Sequence, residues 1–321
     1  MSNYVSKFKF DIQNTDKILV YGAGFIANVV YEVMKHYKLH NKIQAFIVRS
    51  CDRNPLEING IKVEEYSSHI SGNEKIILGV SDEKQDEICM ELEQSGIATE
   101  RIYRIDRLML EALIYEYSVL VGSAEYWEQR YKQGGNSGTG SYNHLAKFKA
   151  EVLNQFVKEK QINSIIEWGC GDGNQLSLAE YPSYLGYDVS KTAIEICNQK
   201  FQDDKTKEFI WCGEENFTDN KTAELVLSLD VLYHLLEDDI YENYMNRLFA
   251  SSKKYVCIYS SDYNEQTVAH VKHRKFTEWI IKNVSGKWKL IKYIKNKYPF
   301  AAEKENETSK ADFYFYEKID E

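Results

Sequence analysis

Three glycines directly follow an apolar segment in the second half of the chain, in the sequence SIIEWGCGDGNQL. Gly169, Gly171 and Gly173 stand where a strand turns into a helix, and residues without a Cβ let the backbone approach a ligand and direct N–H groups at it. Asp188 ends the next apolar segment, YLGYDVS, where a carboxylate can accept hydrogen bonds from both hydroxyls of a ribose. The spacing predicts a nucleoside-type ligand here; the alternative is a tight turn followed by a helix-capping Asp188.

A histidine and an aspartate follow a later apolar segment, in LDVLYHLLEDD. His234 would project from the carboxyl edge of the sheet, where ligands of open α/β folds bind, with Asp230 one turn before it. An imidazole with a pKa near ~6.5 suits proton abstraction near neutrality. We expect His234 to be a general base whose ring Asp230 orients. The alternatives are that His234 only caps or packs a helix start and that Asp230 lines the ligand pocket.

A basic cluster, HVKHRKF, lies further along the chain, within residues 249–297, which hold 11 Lys/Arg against 3 Asp/Glu. His270 and His273 could share a helical face, but no third ligand stands at a diagnostic spacing, so no metal site is predicted. Arg274 can bind a phosphate through two parallel hydrogen bonds. We expect this cluster to hold a phosphorylated acceptor; the alternative is an exposed basic helix start.

A glycine-rich segment, GGNSGTGSYNH, precedes the first of these motifs and is flanked by aromatic and basic side chains. Glycine hinges let a loop close and exclude water, and aromatic faces stabilise a cation. We expect a closing lid in which Tyr126, Arg130 and Tyr142 contact the substrate. The alternative is a tether between domains whose aromatic residues pack against the sheet.

Strands and helices alternate on both sides of GGNSGTG, so the elements that position these residues form two α/β units. We predict a first domain over residues 1–118 and a second over 119–321, each a Rossmann-like three-layer structure. The chain closes with WKLIKYIKNKY and DFYFYEKI, which have no helix-length segment between them and should therefore be antiparallel neighbours.

The first domain has a glycine turn of its own, GAGFIA over residues 22–27, after the strand KILVY. The pattern GxGxxA is a dinucleotide-type fingerprint, but Arg49 stands where NAD-binding domains carry an acidic residue. Arg49 could accept a 2′-phosphate or be a surface cation. Through YGAGFIA and NGIKV this half resembles the N-terminal domain of bacterial sugar acetyltransferases, which engages a nucleotide-linked sugar. We favour substrate handling or a structural role over a redox cofactor.

The run EWGCGDG resembles the cofactor-binding first motif of class I S-adenosylmethionine-dependent methyltransferases. The closing hairpin is similar to the antiparallel strand that marks that fold. The resemblance implies that Glu167 and the loop 169–173 hold the methionine moiety and that Asp188 holds the ribose. It places Gly213 and Glu214 near the adenine, although Glu214 could be an ordinary surface carboxylate.

A narrower likeness covers residues 119–321. The segments YWEQRYKQGGNSGTGSYNHLAKFKAEVL, LDVLYHLLEDD and ADFYFYEK resemble bacterial methyltransferases associated with capsule and other surface-polysaccharide gene clusters. The resemblance implies O-methylation of a phosphorylated or nucleotide-linked sugar precursor, with S-adenosyl-L-methionine as the cofactor. Two alternatives stay open: a bifunctional protein with an NAD(P)-dependent first domain, and a non-catalytic ligand-sensing scaffold.

The composition of the chain limits which classes of protein it can belong to. The chain has 321 residues and a formal net charge of -9, which opposes nucleic-acid binding. A mean hydropathy of -0.50 and the lack of a long apolar run argue against a membrane span. The N-terminus shows no secretory signal and the cysteines form no CxxC pair, so we expect a cytoplasmic protein with reduced thiols. The sequence leaves the oligomeric state open.

Overall fold

The computed structural model describes residues 2–214, 217–268 and 271–319. The chain divides into two compact units, and the division falls between Val121 and Gly122. No helix within the described residues is long and apolar enough to cross a membrane.

The first unit alternates strands and helices, as the apolar segments of the sequence predict. Its elements are α1 (Ser2–Gln13), β1 (Ile18–Tyr21), α2 (Phe25–His36), β2 (Ile43–Val48), β3 (Glu57–Ile58), β4 (Ile61–Glu65), β5 (Lys75–Leu78), α3 (Asp82–Gln94), β6 (Ile102–Tyr103) and the first part of α4 (Arg107–Lys132). The strand order is β3-β4-β2-β1-β5-β6, in which only the short β3 runs antiparallel to its neighbour.

The glycine turn of the first unit has a packing reason for its first glycine. Gly22 adopts a φ of +115°, and a Cβ on it would lie 2.7 Å from the carbonyl oxygen of Gly79. The helix that follows, α2, buries Val29, Val30 and Val33 completely. Close packing therefore accounts for this turn without a bound dinucleotide.

The second unit begins where α4 is interrupted. Gly122 has φ 79° and ψ 164°, so α4 consists of two helical segments, residues 107–121 and 123–132. The elements that follow are α5 (Asn143–Lys160), β7 (Ile165–Trp168), β8 (Tyr184–Asp188), α6 (Lys191–Lys200), β9 (Lys207–Trp211), β10 (Ala223–Leu229), α7 (Asp238–Ala250), β11 (Ser252–Ser260), β12 (Glu265–Val268), β13 (Val271–His273), α8 (Phe276–Asn283), β14 (Trp288–Ile294) and β15 (Asp312–Lys318).

The large sheet of the second unit has the strand order β14-β15-β11-β10-β7-β8-β9. Strands β7 to β11 are parallel, whereas β15 lies antiparallel between β11 and β14. This arrangement confirms the predicted α/β fold and its closing antiparallel hairpin. Aromatic pairs fill both faces of the sheet: Phe156 stacks on Phe315 on one face, and Trp168 stacks on Tyr187 on the other.

Within the described residues of the basic cluster HVKHRKF no helix begins before Phe276, so the possible helical face for His273 is not found. Val271–His273 forms the short strand β13, which pairs with β12 in a two-stranded sheet, and α8 begins only at Phe276. His270 lies outside the described residues.

Candidate functional site

The carboxyl ends of β9, β8, β7 and β10 meet along one edge of the second unit's sheet, because neighbouring parallel strands end at the same edge. A cavity of about 520 Å³ opens there, a size typical of small-molecule sites. The edge brings together most of the residues that the sequence predicts to bind a cofactor or do chemistry. Those that line the cavity are Glu167, Gly169, Gly171, Asp188, Gly213, Glu214, Asp230 and His234.

The glycine turn after β7 is shaped by close packing as well as by backbone conformation. Gly169, Gly171 and Gly173 have φ values of +84°, +57° and +67°. A Cβ on Gly169 would lie 2.5 Å from Val231 Cγ2, and one on Gly173 would lie 2.7 Å from a ring carbon of Phe201. Gly173 thus packs towards the end of α6 and does not line the cavity, so its predicted ligand contact is not found.

The amides of this turn donate within the protein. Gly169 and Cys170 both donate to the carbonyl oxygen of Tyr187, at 2.7 and 3.0 Å. Gly171 donates to Asp188 Oδ2 at 2.9 Å. The expectation that these N–H groups point at a ligand is therefore wrong. Gly169 and Gly171 nevertheless line the cavity.

Asp188 is a buried carboxylate at the end of β8. Its Oδ2 accepts from Gly171 N, and its Oδ1 accepts from Ser190 N at 2.9 Å. Burial raises the pKa of Asp188 to about 6, against the opposing effect of the two amides. Each oxygen retains a lone pair, so the ionised side chain can still accept hydrogen bonds from a diol.

Glu167 lies on β7 and is also buried. Its Oε2 accepts a 2.6 Å hydrogen bond from the hydroxyl of Tyr184. Burial is the main cause that raises the pKa of Glu167 to about 7; the hydrogen bond and the charge of Lys149 lower it, while the nearby Asp188 and Asp230 carboxylates raise it. This wall of the cavity therefore changes its charge near neutral pH.

Lys149 is a charged residue of the site that the sequence analysis missed. It is fully buried on α5, and its Nζ lies 2.6 Å from Asp230 Oδ2. The hydroxyl of Tyr233 donates to the other oxygen, Oδ1, also at 2.6 Å. The signal was present in the sequence, because Lys149 interrupts the stripe of apolar positions from Leu145 to Leu153 that α5 buries.

Asp230 therefore has partners that the sequence analysis did not predict. Asp230 was predicted to orient the ring of His234. Its two carboxylate oxygens instead accept hydrogen bonds from Lys149 and Tyr233, so Asp230 is a member of an ion pair. Asp230 also has a φ of +60°, an uncommon conformation for a residue with a side chain.

His234 ends a short 3₁₀ turn, Leu232–His234, just after β10. Its ring packs edge-on against Trp127, with the ring centroids 5.0 Å apart, and against Tyr233 at 4.7 Å. Trp127 comes from the second segment of α4, and both Trp127 and His234 line the cavity. The structure thus places an imidazole and an aromatic face at the same wall.

The predicted lid lies against the glycine turn. Ser137 N donates to Asp172 Oδ2, Asp172 N donates to Ser137 Oγ, both at 3.0 Å, and the hydroxyl of Tyr142 donates to Asp172 Oδ2 at 2.7 Å. Arg130 donates to the carbonyl oxygen of Asn136 at 2.7 Å.

The substrate-binding roles predicted for three lid residues do not match their positions. Tyr126, Arg130 and Tyr142 are absent from the described cavity lining: Tyr126 is buried, and the other two side chains hold the lid itself. Ser123, Ala124, Trp127 and Tyr131 line the cavity instead, at the spacing of one helix face.

The predicted phosphate ligands are also engaged within the fold. Arg274 donates to the carbonyl oxygens of Leu235 and Leu236, and both Arg274 and Lys272 form ion pairs with Asp238. Only 12% of the Arg274 side chain is exposed. The placement of Arg274 in a phosphate site is therefore corrected: it fastens β13 to the start of α7.

His273 is likewise a structural side chain. Its Nδ1 lies 2.6 Å from Ser261 Oγ, and the residue is buried. Burial lowers the pKa of His273 to about 4, so the ring is neutral at physiological pH and does not supply a positive charge for a phosphate.

Carboxylates outnumber cationic side chains in the cavity lining. Lys149 and Arg247 are the lysine and arginine within the described lining. The acidic residues are Glu167, Asp172, Asp188, Glu214, Asp230 and Asp239. Such a lining favours a ligand with a positive charge, and the rings of Trp127 and Tyr131 can stabilise the same charge.

Residues 142–295 match the family model described as a methyltransferase domain. This part of the chain is a class I S-adenosylmethionine-dependent methyltransferase domain. The match confirms the enzyme class and the cofactor that the EWGCGDG motif predicts, S-adenosyl-L-methionine. No protein of curated function matches the sequence.

Solved methyltransferase structures are similar to this part of the protein. N-methyltransferase NodS from Bradyrhizobium japonicum WM9, in complex with S-adenosyl-l-homocysteine, is 12% identical and has a TM-score of 0.48, over 62% of this chain and 99% of that chain. Magnesium protoporphyrin IX methyltransferase from Synechocystis PCC 6803, with bound SAM, is 14% identical with a TM-score of 0.43, over 65% and 97% of the two chains.

The residues of the methyltransferase cavity fit S-adenosylmethionine. The buried Asp188 keeps lone pairs for a ribose, and the acidic lining complements a sulfonium. When bound, the cofactor supplies a methyl group on a positively charged sulfur.

Proposed function

We propose that the second unit methylates an oxygen of a small-molecule acceptor, with His234 as the general base. The observation that carries the proposal is that His234 lines the same cavity as Asp188 and Glu167. A hydroxyl acceptor must lose a proton during methyl transfer, and an imidazole is suited to accept it. Because Asp230 is held by Lys149, His234 is the better candidate for that proton.

The cofactor-binding roles follow the order of the strands along the sheet edge. We propose that Asp188, at the end of β8, accepts the ribose hydroxyls and that Glu214, beyond β9, lies by the adenine. Glu167 on β7 would then face the methionine moiety. The rings of Trp127 and Tyr131 would lie against the sulfonium, since both line the cavity.

We further propose that the acceptor is a phosphorylated or nucleotide-linked sugar precursor of a capsular or other surface polysaccharide. The support for it is the resemblance of LDVLYHLLEDD and ADFYFYEK to methyltransferases of such gene clusters. The engagement of Arg274 and Lys272 by Asp238 removes the ligands expected for the phosphate. The hydroxyl of the sugar is the group that His234 would deprotonate. The phosphate of such an acceptor would have to bind residues other than Arg274 and Lys272.

The test of the acceptor class is product analysis. The full-length protein is incubated with S-adenosylmethionine and matched pairs of neutral, phosphorylated and nucleotide-linked sugars, and mass spectrometry detects the addition of one methyl group. Methylation of a phosphorylated sugar but not of its neutral partner supports the proposed acceptor. Methylation of only the neutral sugars contradicts it.

The test of the base is a substitution at His234. Because general acid–base catalysis contributes about 10²- to 10⁴-fold, His234→Ala should lower kcat by that factor and leave the affinity for S-adenosylmethionine unchanged. His36→Gln, on the exposed side of α2 in the first unit, is the matched control and should retain full activity. Full turnover by His234→Ala would refute the assignment.

For the first unit we propose substrate handling or a structural role. The observation that favours it over NAD(P) binding is the position of Arg49, which forms ion pairs with Glu87 and Glu91. Titration with NADP⁺, followed by protein fluorescence, tests the alternative; saturable binding would support NAD(P) binding.

We propose the cytoplasm as the compartment, because the six cysteines are free thiols and suit a reducing environment.

A further inference from the structure

The cavity of the methyltransferase domain contains an acceptor atom that is buried and has no partner among the described residues. This atom is Oε1 of Gln175, a cavity-lining residue that is only 7% exposed. An amide oxygen that is removed from water and left without a hydrogen bond is energetically unfavourable. Such an atom in the wall of a ligand cavity indicates a donor on the ligand.

The orientation of the Gln175 amide is fixed by α5. Its Nε2 donates to the carbonyl oxygen of Ala146 at 3.1 Å. The reverse orientation would place two carbonyl oxygens against each other, so Nε2 stays with Ala146 and Oε1 stays free to accept. The acceptor is therefore held in place before any ligand binds.

The contact with α5 also locates Gln175 along the sheet edge. Ala146 and Lys149 lie three residues apart on α5 and share one face, and Lys149 reaches Asp230 at the end of β10. Glu214 lies beyond β9, at the opposite end of the edge. Gln175 is therefore anchored on the side of the proposed methionine moiety and away from the proposed adenine position.

The charged residues near Gln175 favour a positively charged hydrogen-bond donor on the ligand. Glu167 is electrostatically coupled to Lys149, Asp188 and Asp230, so two more carboxylates and one ammonium act on this wall. The methionine moiety of the cofactor carries one ammonium and one carboxylate, and of these only the ammonium can donate to an amide oxygen.

We infer that Gln175 is a cofactor-binding residue whose Oε1 accepts a hydrogen bond from the α-ammonium of S-adenosylmethionine. The inference rests on the proposed function, because it takes the cavity as the cofactor site. It assigns to Gln175 the recognition of the amino-acid end of the cofactor, which no motif in the sequence analysis identified.

The test compares two ligands that differ at this end. S-adenosylhomocysteine carries the amino-acid group, 5′-methylthioadenosine lacks it, and both have an uncharged sulfur. Isothermal titration calorimetry of the full-length protein gives Kd for each. Because a hydrogen bond to a charged group contributes more than a neutral one, Gln175→Met should weaken S-adenosylhomocysteine binding by about 10- to 100-fold and change 5′-methylthioadenosine binding less than twofold.

Two further variants separate ligand recognition from packing. Gln175→Glu keeps an acceptor and loses the donor to Ala146, so it should retain S-adenosylhomocysteine affinity to within about threefold. Gln133→Met is the matched control, because Gln133 Oε1 is likewise buried without a partner among the described residues but does not line the cavity. It should bind both ligands like the wild type.

Each remaining outcome is decisive. An unchanged S-adenosylhomocysteine affinity in Gln175→Met, or equal losses for the two ligands, overturns the role of Gln175. An equal loss in Gln175→Glu assigns the effect to the Ala146 hydrogen bond and also overturns it. Failure of the wild-type protein to bind either ligand would instead contradict the proposed function, so the two failures are distinguishable.

Discussion

Asp188 makes cofactor affinity depend on pH in a range where most carboxylates no longer titrate. Burial raises the pKa of Asp188 to about 6. With that value the ionised fraction falls from about nine tenths at pH 7 to about one tenth at pH 5. If the ribose hydroxyls donate to the ionised carboxylate, the affinity for S-adenosylhomocysteine should fall about tenfold between these pH values through Asp188 alone.

The assay is calorimetric titration with S-adenosylhomocysteine at pH 5, 6 and 7, with circular dichroism to confirm that the protein stays folded. Glu167, whose pKa is raised to about 7 by burial, titrates in the same range, so the wild type can change by more than tenfold. Asp188→Asn removes one titration and keeps the other. The ratio of the Kd at pH 5 to that at pH 7 should therefore be about tenfold larger in the wild type than in Asp188→Asn.

Two results would refute this reasoning. One is a wild-type affinity that stays within twofold from pH 5 to pH 7, which would mean that the charge of Asp188 does not matter for binding. The other is the same pH dependence in Asp188→Asn as in the wild type, which would assign the titration to a different group.

Two further predictions concern stability, measured by denaturant unfolding. Lys149→Met should lower the free energy of unfolding by about 3–5 kcal/mol, because it leaves the largely buried Asp230 carboxylate without its cation. The double variant Lys149→Met with Asp230→Asn should recover part of this loss. Equal losses in the single and double variants would contradict the ion-pair explanation. The pKa of Glu167 in the folded protein, about 7, lies above its ordinary value of 4.5. Below pH 4.5 the side chain is protonated in both the folded and the unfolded protein, so its burial does not lower the free energy of unfolding. As the pH rises to 7, the unfolded protein loses this proton more readily, and the free energy of unfolding falls. The stability of the wild type relative to Glu167→Gln should thus fall by about 3 kcal/mol between pH 4.5 and pH 8, and a constant difference would disprove the raised pKa.

Local sequence patterns predicted the site wherever a residue lies at the carboxyl end of a strand or shortly beyond it. Asp188 ends β8 and Glu214 lies beyond β9. Neighbouring parallel strands end at a common edge, so these two residues can be placed together once the strands are identified. His234, in the turn after β10, lies at this edge for the same reason. The position of the cavity therefore follows from the alternation of strands and helices along the sequence.

The sequence analysis failed where a side chain depends on a distant partner. Arg274 is paired with Asp238, 36 residues earlier in the chain, and no local pattern links the two. The spacing of His273 allowed a helical face, but His273 lies in β13, because pairing between β12 and β13 overrides the local preference of a short charged segment. The amides of the glycine turn were expected to face a ligand, yet Tyr187 and Asp188 on the neighbouring strand accept three of their hydrogen bonds.

The left-handed backbone of Asp230 limits which amino acids the end of β10 accepts, for two separate reasons. Its φ of +60° suits Gly, Asn or Asp and disfavours β-branched side chains. The ammonium of Lys149 requires a negative charge, which excludes Gly and Asn. Either condition alone admits several residues, whereas together they admit aspartate. A protein engineer who wishes to change this position must therefore change Lys149 as well.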